Sequence, residues 1–141
     1  MMREHGKFEI RIHGRVVFAR LAEAWNLETC RHYAAEILAV GERLNPEPWA
    51  VLTNVRDWQL GPPEIRRLTH ELTGKLDQLG RTHAALVFSD NKIVQDIVRE
   101  ARTSGPSVAD AAFFDTESAA RAWLVECGFG DAEDASDEAP K

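Results

Sequence analysis

Cys30 and His32 place a thiol and an imidazole two residues apart, the pair of groups that thiol catalysis uses. On a helix that spacing sends the two side chains to different faces, so the imidazole does not activate the sulfur. His5, His13, His32, His70 and His83 are scattered, and no set of them has metal-ligand spacing. Cys30 and Cys127 are the only cysteines and make neither a CxxC motif nor a disulfide framework. The Gly-rich phosphate loops and the GxSxG nucleophile motif are absent. The residues predict no catalytic set, no bound metal and no cofactor.

Chemistry of another kind is gathered in Trp49 to Glu64, WAVLTNVRDWQLGPPE. An apolar strand carrying Trp49, Val51, Leu52 and Val55 runs into a polar tip at Asn54, Arg56 and Asp57. A Gly61-Pro62-Pro63 break follows, and a helix opens at Glu64. In open α/β sheets such strand-to-helix corners are where ligands bind. Trp58 is expected in the loop, as a lid over the core or as a binding anchor. Arg66 and Arg67 on the following helix would steer an acidic partner. If the neighbouring strands are adjacent, Ser89, Asp90, Asn91 and Lys92 join this surface, with a helix N-terminus near Asn91 suited to a small anion.

The elements that must position these residues follow from periodicity. Phe8, Ile10 and Ile12 alternate with polar residues, as in a strand with one wet face. His13-Gly14 suits a tight hairpin turn. Val16 to Leu21 is apolar on both faces, so the second strand lies further inside the sheet and the first is an antiparallel edge. Asn26 can cap a helix whose stripe includes Leu27, Cys30, Ala34, Ile37, Leu38 and Leu44; Asn45-Pro46 ends it. Pro63 opens a second helix buried through Ile65, Leu68, Leu72, Leu76 and Leu79. Ala84 to Phe88 reads as a buried strand, Lys92 to Arg102 as a helix, and Ala112 to Phe114 as a last strand. Asp115 or Thr116 caps a final helix with Ala119, Ala120, Trp123, Leu124 and Cys127 inward. The order β-β-α-β-α-β-α-β-α predicts an α/β fold, a mostly parallel five-stranded sheet with one antiparallel edge strand.

A phosphoreceiver domain shares this alternation, and Asp57 and Ser89 imitate two of its parts. The acidic pair and the late Lys that would hold Mg²⁺ and the phosphoryl charge are replaced by His13-Gly14 and Asp115-Thr116.

The chain of 141 residues suits one domain, residues 1–129. The acidic end, 130–141, is rich in Ala, Asp and Glu, has no large apolar residue and is expected to be disordered. A net charge of -6 argues against nucleic acid as a partner. The charged N-terminus lacks an apolar signal segment, and no apolar run is long enough to span a bilayer, so a cytoplasmic, non-membrane protein with buried free thiols is expected.

Three phrases, GKFEIRIHGRVV, WAVLTNVRDWQLGPPEI and FFDTESAARAWL, together resemble the STAS-type fold of bacterial anti-sigma-factor antagonists. More closely, they resemble small antagonist-like bacterial proteins of unassigned activity. The resemblance covers about residues 7–128. It implies a regulatory binding module. In the antagonists a Ser within Asp-x-Ser-Gly is phosphorylated; the corresponding segment here, Asp57-Trp58-Gln59-Leu60-Gly61, has no Ser or Thr, so that switch does not carry over. Some relatives of the fold hold apolar ligands between sheet and helices, which implies a small lipid-like ligand as the alternative.

The expectation is therefore a non-enzymatic STAS-like domain that contacts a protein partner through Asn54, Arg56, Asp57, Trp58, Arg66 and Ser89 to Lys92. The alternative is a small apolar-ligand carrier with a pocket beneath Leu68, Leu72, Ile93 and Ile97. A homodimer is compatible with either.

Overall fold

In the computed structural model, residues 6–59, 63–88, 96 and 109–134 are described. The elements are β1 (Lys7–His13), β2 (Val16–Ala24), α1 (Leu27–Leu44), β3 (Trp49–Gln59), α2 (Pro63–Gln78), β4 (Arg81–Val87), β5 (Asp110–Phe114), α3 (Glu117–Glu126) and the short α4 (Asp131–Asp134). The expected helix from Lys92 to Arg102 and the residues Ser89, Asp90, Asn91 and Lys92 lie outside the described residues, as do Leu60 to Pro62.

The strands lie in sequence order, β1-β2-β3-β4-β5. β1 pairs antiparallel with β2 through a hairpin whose Gly14 has φ +62, and every other pair is parallel. The α/β fold with an antiparallel edge strand is thus as the periodicity predicts. Asn26 caps α1, its side chain accepting from Thr29 N at 3.0 Å, and Thr116 caps α3, accepting from Ala119 N at 3.1 Å.

Each face of the sheet has its own core. On one face α1 and α2 cover Val17, Ala19, Leu21, Val51, Val55, Ala84 and Leu86. On the other, α3 brings Ala120 and Leu124 onto Val16, Phe18, Ala50, Leu52, Ala85 and Val87. Two covered faces explain why the central strands are apolar at consecutive positions.

Within the acidic end, expected to be disordered, the described residues include a helical turn. Asp131–Asp134 form α4; Ala132 is fully buried, and Asp131 Oδ2 accepts from Arg15 N at 3.0 Å in the β1–β2 turn. One small apolar residue and a carboxylate aimed at a free turn N–H suffice to dock a single helical turn. Of the two thiols, Cys30 is buried as expected, but Cys127 is only half-buried, because it sits past the end of α3.

Candidate functional site

The polar corner at the end of β3 is strand rather than loop. β3 runs on to Gln59, paired with β2 as far as Ala24. Between Arg20↔Asn54 and Ala22↔Asp57 the register slips, so β3 carries one residue more than β2. Such a bulge changes which face the following side chains take. Strict alternation from Val51 and Val55 would put Trp58 on the face of Asn54. With the extra residue, Trp58 turns instead into the core beneath α1 and α2, where it is 5% exposed. Trp58 is therefore not an exposed anchor. Its partner across the ladder, Glu23, has a positive φ of 66, a conformation costly for a residue with a Cβ. Two backbone irregularities face each other where the indole turns inward.

The bulge divides the expected surface. Asn54 is buried on the α3 face, where its Nδ2 donates to Glu117 Oε2 at 2.6 Å and its Oδ1 accepts from Arg56 N at 2.9 Å. Arg20 donates to the same Glu117 oxygen at 3.1 Å. Burial alone would raise the Glu117 carboxyl, but Asn54 and Arg20 outweigh it and hold the group below its usual range. Arg56 is exposed, reaching Asp115 O at 3.4 Å, and Asp57 is exposed. Arg66 is exposed on α2, and it borders the same space as Trp58. Since Asn54 pairs with Val87, the chain does leave β4 beside this corner.

That space is a cavity of about 100 Å³ between the sheet and helices α1 and α2. Leu72 and Leu76 of α2, Tyr33 of α1, and Leu21, Val55 and Trp58 of the sheet are among its walls. From Arg66 to Leu76 its lining follows α2 for roughly 15 Å. Of the four residues expected over a pocket, Leu68 and Leu72 line this cavity, and Ile93 and Ile97 lie outside the described residues.

Nearly every polar group along this wall is already satisfied. Thr69 and Thr73 donate their hydroxyl protons to Ile65 O and Thr69 O, at 2.7 and 3.0 Å. Arg81, 6% exposed, donates from Nε to Asp77 Oδ1 at 2.9 Å and from a terminal nitrogen to Thr73 O at 3.1 Å. Burial pushes the Tyr33 hydroxyl well above its ordinary range, more than the Arg81 charge beside it pulls it down. Burial likewise pushes the Cys30 thiol up, against a hydrogen bond with Thr69. Trp25 Nε1 donates to Lys7 O at 3.1 Å. Trp58 Nε1 alone, among the buried side-chain nitrogens and oxygens of the described residues, has no partner.

Trp25, Cys30, Tyr33 and Arg81 were not legible as wall residues. One signal was available: Thr69 and Thr73 sit four apart on the apolar stripe of α2, where hydroxyls are out of place unless they bond back to the helix. Among the described residues, no group of three or more His, Cys, Asp or Glu could hold a metal ion, and no helix is long and apolar enough to cross a membrane.

No family model matches the chain, and no curated protein is significantly similar to it in sequence. Among solved structures it is similar to an uncharacterised protein of the DUF3478 family from Shewanella loihica PV-4, described as having a SpoIIAA-like fold. The two share 11% sequence identity at a TM-score of 0.65, over 88% of this chain and 97% of that one. The likeness is one of fold: this chain has a SpoIIAA-like, STAS-type α/β fold.

Proposed function

We propose that this chain is a non-enzymatic binding domain that takes a small, mostly apolar ligand between its sheet and helices α1 and α2. The observation that carries the reading is the cavity itself, about 100 Å³ walled mostly by aliphatic and aromatic side chains, with the exposed Arg66 among its lining residues. An apolar cavity of roughly 150 Å³ stays dry and takes up benzene, so a space of about two thirds that volume suits a compact ligand of about four or five heavy atoms, or the end of a longer one. The groups along the wall favour binding over chemistry. Arg81 and Asp77 neutralise each other, and the Cys30 thiol is kept protonated by its surroundings.

The test is a ligand-observed NMR screen of small apolar compounds, with native mass spectrometry of the purified chain. Hits are expected to bind the wild type and to be lost in Ala34→Leu, which fills the cavity from α1. An absence of hits and of co-purified ligand, or hits that Ala34→Leu leaves untouched, would count against the reading.

A second reading rests on Arg56 and Asp57, both exposed at the carboxyl end of β3. They offer a protein partner an orienting charge pair, without the aromatic anchor that Trp58 was expected to supply. Co-purification of a protein lost in Arg56→Ala would favour it.

A further inference from the structure

Among the described residues, one side chain of the cavity wall, Trp58, carries an unanswered hydrogen-bond donor, and its surroundings single it out. Trp58 is 95% buried, yet its Nε1 has no acceptor among the described residues. Buried polar groups without partners are rare in native proteins because each forfeits its hydration. The neighbouring indole shows the ordinary solution: Trp25, in edge-to-face contact at 5.4 Å, donates to a backbone carbonyl. Phenylalanine would fill the same wall without that cost. The backbone also departs from regularity at this point. The β3 bulge turns the indole inward, opposite a non-glycine residue held at positive φ. Bulges of this kind are typical next to binding sites, where they re-aim a side chain.

We infer that the ligand of this cavity carries a hydrogen-bond acceptor, such as a ketone, ester or amide carbonyl, on an otherwise apolar body, and that the acceptor is met by Trp58 Nε1–H. This rests on the proposed ligand-binding role and deepens it. An anionic head is disfavoured at the buried end, because the Arg81 charge there is already matched by Asp77 at 2.9 Å. A hydrocarbon with no acceptor would leave the indole as unsatisfied as it is now. A site built to meet a polar group discriminates against the analogue that lacks it.

The experiment compares two probes of the same shape, cyclobutanone and methylenecyclobutane, on wild type and Trp58→Phe. The ketone is expected to lose about three- to tenfold in affinity in the variant, and the alkene less than about twofold. In the wild type, the assigned Trp58 indole N–H resonance should move on adding the ketone and stay put with the alkene; this readout holds even if the variant folds poorly. If both probes bind and Trp58→Phe affects them equally, or the indole resonance ignores the ketone, the inference is overturned and the binding role survives. If neither probe binds, and Ala34→Leu changes nothing in the wider screen, both fail together. Retention of the indole shift by bound water alone, unchanged by either probe, also overturns it.

Discussion

The indole rings of Trp25 and Trp58 meet edge to face, with centroids 5.4 Å apart and planes inclined at 73°, but among the described residues only the Trp25 N–H finds an acceptor. The ring contact contributes about 0.5–1.5 kcal/mol beyond burial. A buried donor left without an acceptor costs about 1–3 kcal/mol. At Trp58 the two effects are of similar size, so the unmet donor offsets most of what the ring contact adds to burial.

Two Trp→Phe variants separate these effects. Trp49 is fully buried and donates from Nε1 to Leu79 O at 3.0 Å. Trp49→Phe should lose that bond as well as volume and cost about 2–3 kcal/mol in urea unfolding. Trp58→Phe relieves an unsatisfied donor and should cost less than about 1 kcal/mol. Equal losses would show that the Trp58 N–H is answered in solution.

Glu23 holds a positive φ of 66 in the strand opposite the bulge. Its exposed ion pair with Lys7, at 3.6 Å, contributes little. Glu23→Gly is expected to raise stability by up to about 1 kcal/mol, whereas Glu23→Val should lower it by about 1–2 kcal/mol. Chemical denaturation reads both. A glycine that destabilises here would show that this backbone is relaxed.

Arg81 and Asp77 form a buried ion pair, both side chains 5% exposed. Removing one partner strands the other charge, so Arg81→Met should cost about 3–5 kcal/mol. The double variant Arg81→Met/Asp77→Leu should recover most of that. It would still leave Ala109 N–H without the Asp77 oxygen it meets at 3.3 Å, a residual cost of about 1–2 kcal/mol. A double-mutant cycle in thermal unfolding checks the coupling.

Glu117 makes stability depend on acid. Its folded carboxyl titrates below the usual glutamate range, because Asn54 and Arg20 outweigh burial. A depressed carboxyl contributes stability that is present above the unfolded value and is lost as pH falls through the folded one. Glu117→Gln should therefore cost about 1 kcal/mol at pH 7, and the gap to wild type should close below pH 4.5. A constant gap across that range would contradict the assignment.

Cys30 is 3% exposed and Cys127 is half-buried, and burial pushes both thiols up. With an aromatic disulfide reagent at pH 8, Cys127 should react first, and Cys30 only at the rate of opening of the α1–α2 layer. Filling the cavity through Ala34→Leu should slow the Cys30 reaction further.

The amino-acid order alone carried the architecture. Apolar alternation in Phe8-Ile10-Ile12, the doubly apolar run of Val16 to Ala19, the Asn26 and Thr116 caps and the Pro63 helix start are local signals. Each acts through neighbours within a few residues, so each was readable. The pocket beneath Leu68 and Leu72 was readable as a possibility, because a helical stripe shows which residues face the sheet. Where Trp58 points was not. It depends on one extra residue in β3 opposite β2, and pairing register joins residues more than thirty positions apart in the chain. The same holds for Asn54, drawn to Glu117 across 63 positions, and for Asp131, which ties the acidic end to the first hairpin across 116. Local patterning determines which elements form, while only their packing decides which of two faces a side chain takes and whether its polar atom finds a partner.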